Sequence, residues 1–150
     1  MDFKKKGGED MKRICFVVVL VLISTSVLAA EPASPRAMAE NFLALLQQGS
    51  IGTAYDQLFK GSSIAADRPQ VVTLLMQQTQ SGLASYGKVL GYEIVHEEQL
   101  GSSVVRLVYF LKSEKAPTTW EFYFYKPKST WFLVNVTFND QFQFLDKKSR

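Results

Sequence analysis

The chain is poor in the residues on which many small proteins rely. Its 150 residues include one cysteine, Cys15, one histidine, His96, and five prolines. Cys15 lies in an apolar run near the N-terminus, so every residue after it is cysteine-free. That excludes a disulfide framework and thiolate chemistry from residues 16–150. A lone histidine without cysteine also leaves no ordinary zinc donor set, and no metal site is expected. A phosphate-cradling glycine loop, a nucleophile elbow and a helix-borne metal pair are all missing from the sequence, and no cofactor is expected. Internal repeats and low-complexity segments are missing as well.

Charge is scarce in the same sense. The formal net charge is +3, from 17 basic and 14 acidic residues. Setting aside Lys4, Lys5, Lys6, Lys12 and Arg13 with Asp2, Glu9 and Asp10 leaves 12 and 11, a net +1 for residues 30–150. The basic character therefore belongs to the leader. No basic stripe survives to meet nucleic acid, which is excluded as an expected partner. The pairs Lys126/Lys128 and Lys147/Lys148 read as a charged turn and a solvated tail.

What is present begins with Met11 to Ala30, MKRICFVVVLVLISTSVLAA. Lys12 and Arg13 form a basic start, Ile14 to Ile23 a short apolar stretch, and Ser24 to Ala30 a run ending in small residues. This is the pattern of a cleaved signal peptide, residues 1–30. An apolar run this short falls below the roughly 20 residues that a spanning helix needs, so no stable membrane span is expected after cleavage. Lipidation is not expected, because Ala29 and Ala30 stand where a lipoprotein would place its cysteine. Residues 1–10 carry acidic groups ahead of the signal and read as a mis-called start; a longer natural n-region is the alternative. Export is expected, with the bacterial periplasm suiting a cysteine-free chain best.

About 120 residues remain, enough for one domain with a real core. Residues 31–34 read as a linker. Ser34 can cap a helix opening at Pro35, with Met38, Phe42, Leu45 and Leu46 at helical spacing and Gly49 as its stop. A second helix starts near Ser50, with Ile51, Tyr55, Leu58 and Phe59 inward. Lys60 to Ser63 breaks it. Asp67 can cap a third helix through Pro69, its inner face holding Val72, Leu75, Met76, Thr79 and Leu83. After Gly87 the period becomes two, and four strands are expected at 88–97, 103–112, 118–126 and 130–139. The fold class is α+β, with N-terminal helices on one face of a curved four-stranded antiparallel sheet. Pairing Lys112 with Pro117, and Lys126 with Thr130, puts Leu107, Tyr109, Leu111, Trp120, Phe122, Phe124, Phe132, Val134, Val136 and Phe138 on the helix-covered face. The other face then carries Arg106, Val108, Phe110, Glu121, Tyr123, Tyr125, Trp131, Leu133 and Asn135.

Helices followed by long aromatic antiparallel strands resemble the nuclear transport factor 2-like superfamily, the cystatin-like α+β roll. The opening helix Ala37–Leu46 and the closing strand Trp131–Asp140 resemble those of small secreted bacterial members. The resemblance covers residues 35–142, leaving 143–150 as a polar tail. It implies a cone between helices and sheet, which some members use for isomerase or dehydratase chemistry and others for binding ligands or proteins, often as dimers through the sheet. Fold alone does not choose among these.

Five residues are candidates for lining such a cone: Tyr55, Tyr92, His96, Tyr109 and Trp120. His96 with a paired carboxylate could act as a general base; the simpler reading is a strand-end histidine beside Glu97 and Glu98. For the tyrosines the simpler reading is core packing with satisfied hydroxyls. Cone-facing acidic residues are lacking on the strands, which speaks against isomerase or dehydratase chemistry. A second candidate is an interface of Arg106, Glu121, Tyr123, Tyr125, Trp131 and Leu133, with Glu93 opposite or near Arg106. It suits a homodimer, although a plain cross-strand charge ladder explains the ions. The first expectation is therefore an exported non-enzymatic domain binding a small apolar ligand or a protein partner. An isomerase or lyase using His96 and a cone tyrosine is the second, and an assembly role through dimerisation the third.

Overall fold

A computed structural model describes residues 33–141. The expected signal peptide, the start of the linker and the polar tail lie outside the described residues. Helix α1, Pro35–Gln47, opens as its sequence dictates. Ser34 is extended and its Oγ accepts the Ala37 N–H at 3.2 Å, while proline occupies the first turn, where no N–H is needed. The helix closes at Gly49, φ +76°, with Ser50 N–H donating to the Leu45 carbonyl and Gly49 N–H to that of Leu46. These two bonds satisfy carbonyls that the helix end leaves over.

Helix α2, Ile51–Leu58, buries Ala54, Tyr55 and Leu58, and Phe59 follows them into the core. Helix α4, Pro69–Tyr86, packs Val72, Leu75, Met76 and Leu83 against that core and buries Thr79. Between them lies a short helix that the breaker residues conceal, α3, Ser63–Asp67. Ser62 makes it: its Oγ accepts the Ile64 N–H at 3.2 Å and donates to the Leu133 carbonyl at 2.8 Å. Asp67 therefore ends α3 instead of capping α4, whose preceding residue, Arg68, makes no side-chain capping bond.

The strands are β1, Val89–Leu100; β2, Val104–Ser113; β3, Thr118–Tyr125; and β4, Phe132–Asn139. They form one antiparallel sheet in the order β1-β2-β3-β4. The helices lie on one face, over a core of Phe42, Leu43, Leu46, Tyr55, Leu107, Tyr109, Leu111, Trp120, Phe122 and Phe124. The β2–β3 register, Leu111 opposite Thr118, is the one the alternation predicts.

Three irregularities alter the expected faces; the first, on β1, leaves Leu90 unpaired between Val89 and Gly91 and exposed. On β4 the register shifts beside Phe124: Tyr123 pairs with Asn135 but Phe124 with Leu133, leaving Val134 as an extra residue. Leu133 is consequently buried, Val134 is exposed, and Phe132 lies on the outer side with Tyr125. The expectation of Phe132 and Val134 in the core and Leu133 outside is corrected. On β1 a second shift leaves Val95 unpaired between Ile94, opposite Tyr109, and His96, opposite Val108. Each extra residue puts the stretches on its two sides out of phase by one, so one of them faces opposite to a strict alternation: the residues after Val95 on β1, and those before Val134 on β4.

Candidate functional site

The expected cone is filled by side chains. Phe42 from α1 packs edge-on to Tyr55 (5.1 Å between centroids) and Phe122 (5.7 Å) and lies tilted 5.3 Å from Trp120. Trp120 stacks on Phe138 at 4.5 Å, and Tyr109 meets Phe122 edge-on. The polar handles in this cluster have partners. The Tyr55 hydroxyl is 2.7 Å from Thr79 Oγ1, and Trp120 Nε1 donates to Thr118 Oγ1 at 3.1 Å. Burial pushes the Tyr55 hydroxyl's pKa up to about 12, against the pull of the Thr79 hydrogen bond. The Tyr109 hydroxyl donates to Glu40 Oε1 at 3.2 Å; burial, then the nearby Glu40 charge, raises its pKa strongly. Tyr92 is half-buried, its ring 6.3 Å from that of Tyr109.

Thus Tyr55, Tyr92, Tyr109 and Trp120 do face the helices, whereas His96 does not. The extra residue at Val95 turns His96 onto the opposite face, where it is exposed and its Nε2 sits 3.5 Å from Glu98. Glu97 takes the inward side instead, opposite Leu107. There it meets Arg36 at 3.4 Å, and Arg36 also holds Glu40 at 3.0 Å. The carboxylate bonded to an inner tyrosine therefore comes from a helix, Glu40, with Glu97 of β1 adding its charge nearby. The Arg36/Glu40 spacing of four residues is the one sequence signal for it.

The outer face reads as cross-strand rows. One row is Glu98, Arg106, Tyr123 and Asn135, and the next is His96, Val108, Glu121 and Thr137. Arg106, only 12% exposed, is held between Glu121 (2.5 Å) and Glu98 (3.4 Å), and the Tyr123 hydroxyl donates to the same Glu121 oxygen at 2.7 Å. Burial lowers the Arg106 pKa, but the Glu121 hydrogen bond and charge outweigh it and the net shift is upward. Burial and the same carboxylate raise that of Tyr123. Glu93, expected near Arg106, lies opposite Phe110 and pairs with Lys112 at 3.1 Å, while the β1 bulge at Val95 puts Glu98 and not Glu97 opposite Arg106. A third row, Leu100, Val104, Tyr125 and Phe132, crosses all four strands and is apolar throughout. Leu100 is 40% and Tyr125 36% exposed. Of the expected interface residues, Arg106, Glu121, Tyr123 and Tyr125 come together on this face. Leu133 is in the core, and Trp131 packs partly against that core with the Lys126 ammonium 4.7 Å from its ring centroid.

Several grooves open between elements, two of them at the helices over the core. One, of about 770 Å³, lies among α2, α3 and α4, over Tyr55, Phe59, Val72 and Met76, with Asp56 and Lys60 at its border. The other, of about 670 Å³, runs between α4 and β4, lined by Leu74, Leu75, Val136 and Phe138 with neutral polar neighbours. Among the described residues no cluster of three or more His, Cys, Asp or Glu side chains suits a metal ion, and no helix is long and apolar enough to cross a membrane.

No protein-family model and no curated protein matches the sequence. Among solved structures the chain is similar to a Campylobacter jejuni protein named a "Putative NTF2-like transpeptidase". The TM-score is 0.51 at 12% identity, over 67% of this chain and 97% of that one. At this identity the likeness speaks for architecture alone. The chain has the nuclear transport factor 2-like fold.

Proposed function

We propose that this chain is an exported, non-enzymatic binding domain that takes a small apolar ligand or a protein partner. The filled cone carries the non-enzymatic part of the reading and moves any ligand or partner out of the cone, to the grooves between elements or to the outer sheet face. Phe42, Tyr55, Tyr109, Trp120 and Phe122 occupy the space where a reactive pocket of this fold would lie, and their polar atoms are engaged with one another's neighbours. An isomerase or lyase built on His96 and an inner tyrosine is disfavoured, since the sheet separates the two. Transpeptidation through a serine needs that hydroxyl beside a base. Ser62, the buried serine at the α2–α3 corner, instead spends its hydroxyl on Leu133 and Ile64. Export rests on the Met11 to Ala30 pattern, and a periplasmic location on that pattern with the missing cysteines.

Native mass spectrometry of protein purified from the cell envelope tests the reading. The expected species begins at Ala30 or Glu31 and carries a retained ligand or partner. A chain beginning at Met1 or Met11 in the cytosol overturns export, and a bare monomer from every preparation overturns binding. The apolar row from Leu100 to Phe132, beside the Arg106 ion pairs, favours a second reading in which the partner is another copy of the chain.

A further inference from the structure

We infer that the groove between α4 and β4 seats the chain's own residues 142–145, Phe-Gln-Phe-Leu, which turn back onto it directly after β4. The apolar surface of this groove is open. Leu74 is 53% exposed, and Leu75 and Phe138 are half-buried; of the apolar lining only Val136 is buried. The remaining lining residues, Gln77, Gln78, Ser81 and Thr137, are exposed, polar and uncharged. An apolar floor with a neutral rim suits an uncharged apolar segment and gives a charged group no partner. Among the described residues β4 is also the edge of the sheet, bonded to β3 alone, and such edges are commonly covered by a further piece of chain.

The chain delivers a segment of that chemistry to that place. The Tyr86 hydroxyl, at the end of α4, donates to Asp140 Oδ2 at 2.8 Å and ties the exit of β4 to the helix. Directly beyond, the Gln141 N–H donates to Asn139 Oδ1 at 2.9 Å, a side-chain turn that bends the chain out of the strand direction. Gly82 faces Phe138 and Tyr86 reaches Asp140, so α4 and β4 run the same way, and a chain that turns back after Asp140 enters the groove between them. The lining extends from Ser81 back to Leu74, roughly 10 Å along the helix. Extended, residues 142–145 cover roughly 13 Å. Phe142 and Phe144 then fall on one side of the segment and both enter the groove, before Asp146, Lys147 and Lys148 end the apolar stretch. Gln141 alone tethers the segment, so it meets the groove at an effective concentration on the order of millimolar. The ligand or partner of the binding reading is then left the groove among α2, α3 and α4 or the outer sheet face.

The test is nuclear Overhauser spectroscopy on the full mature chain. Contacts are expected from the Phe142 and Phe144 rings to the methyl groups of Leu74, Leu75 and Val136. The pair Phe142→Ser/Phe144→Ser, and separately Leu74→Glu, is each expected to lower the thermal midpoint by about 3–8 °C. The three substitutions together are expected to lower it little further than either change alone, because both break one contact. Mixing isotope-labelled with unlabelled chains separates the possible occupants: the contacts are expected within a chain. Contacts found only between differently labelled chains mean that a second copy supplies the segment, and they overturn the inference. So do rings that touch Tyr123 and Trp131 instead, rings without contacts to the groove, a Leu74→Glu midpoint equal to that of wild type, or additive losses in the combined variant. Each of these outcomes leaves the binding-domain reading standing, since that reading is tested by the retained ligand or partner.

Discussion

Leu133 and Val134 are sequence neighbours that differ by one methylene, yet Leu133 is fully buried and Val134 is 37% exposed. The extra residue on β4 decides between them. Leu133→Ala is therefore expected to cost about 2–5 kcal/mol, on the scale of other core truncations such as Phe122→Ala. Val134→Ala is expected to stay within about 0.5 kcal/mol. Urea midpoints in the reverse order would show that the strand is not bulged. Tyr55 gives a second test at this scale. Its folded pKa of about 12 lies above the ordinary value of 10.0, because burial penalises the phenolate. A raised folded pKa contributes stability that is complete below pH 10 and lost as pH rises through 12. Tyr55→Phe is expected to cost about 1 kcal/mol near neutral pH, by stranding Thr79 Oγ1, and to lose less further stability than wild type between pH 10 and 12. Parallel profiles over that window would contradict the burial of the hydroxyl. Neither residue's fate was legible beforehand in full: both Leu133 and Val134 are apolar, so alternation cannot show a bulge, whereas Tyr55's inward face follows from helical spacing.

At the scale of elements, glycines separate positions required by conformation from positions merely tolerated. Gly87 ends α4 at φ +83°, and a Cβ there would stand 2.7 Å from Glu114 Oε2, which accepts the Lys88 N–H. Gly82, inside α4, would place a Cβ 3.7 Å from the Phe138 ring, an ordinary contact. Gly87→Ala is expected to destabilise by about 1–2 kcal/mol. Gly82→Ala is expected to stabilise by up to about 1 kcal/mol, from helix propensity. Opposite shifts of the thermal midpoint check the pair, and a shift of the same sign would refute the strain at Gly87. The sequence made α1, α2, α4 and the four strands legible, because each has a long periodic face and a stop signal. It concealed α3, a single turn held by Ser62 through a bond to Leu133, 71 residues away in the chain.

For the molecule as a whole, the sheet's outer face poses the question of partners. The apolar row beginning at Leu100 and the Arg106 row beside it lie on adjacent tiers. Self-association through this face would cover Leu100 and Tyr125, and the ion pairs would fix orientation more than add affinity. The expected outcome is a homodimer in sedimentation at tens of micromolar, which Tyr125→Glu makes monomeric with an unchanged circular dichroism spectrum. Trp131 is the poorer probe, since it packs partly on the core. A wild type that sediments as a monomer overturns the homodimer.

Periodicity and composition by themselves determined the α+β class, the order of helices before strands, the β2–β3 register and most of the inward-facing aromatics. These depend on side chains alternating along one element, which local sequence encodes. Only the tertiary structure decided that His96 leaves the inner tyrosines, that Glu98 and not Glu93 reaches Arg106, that Glu40 meets Tyr109, and that Leu133 enters the core. Each of these turns on a bulge or on a contact between distant elements. An extra residue in a strand puts the side chains on its two sides out of phase without changing the composition that a sequence displays.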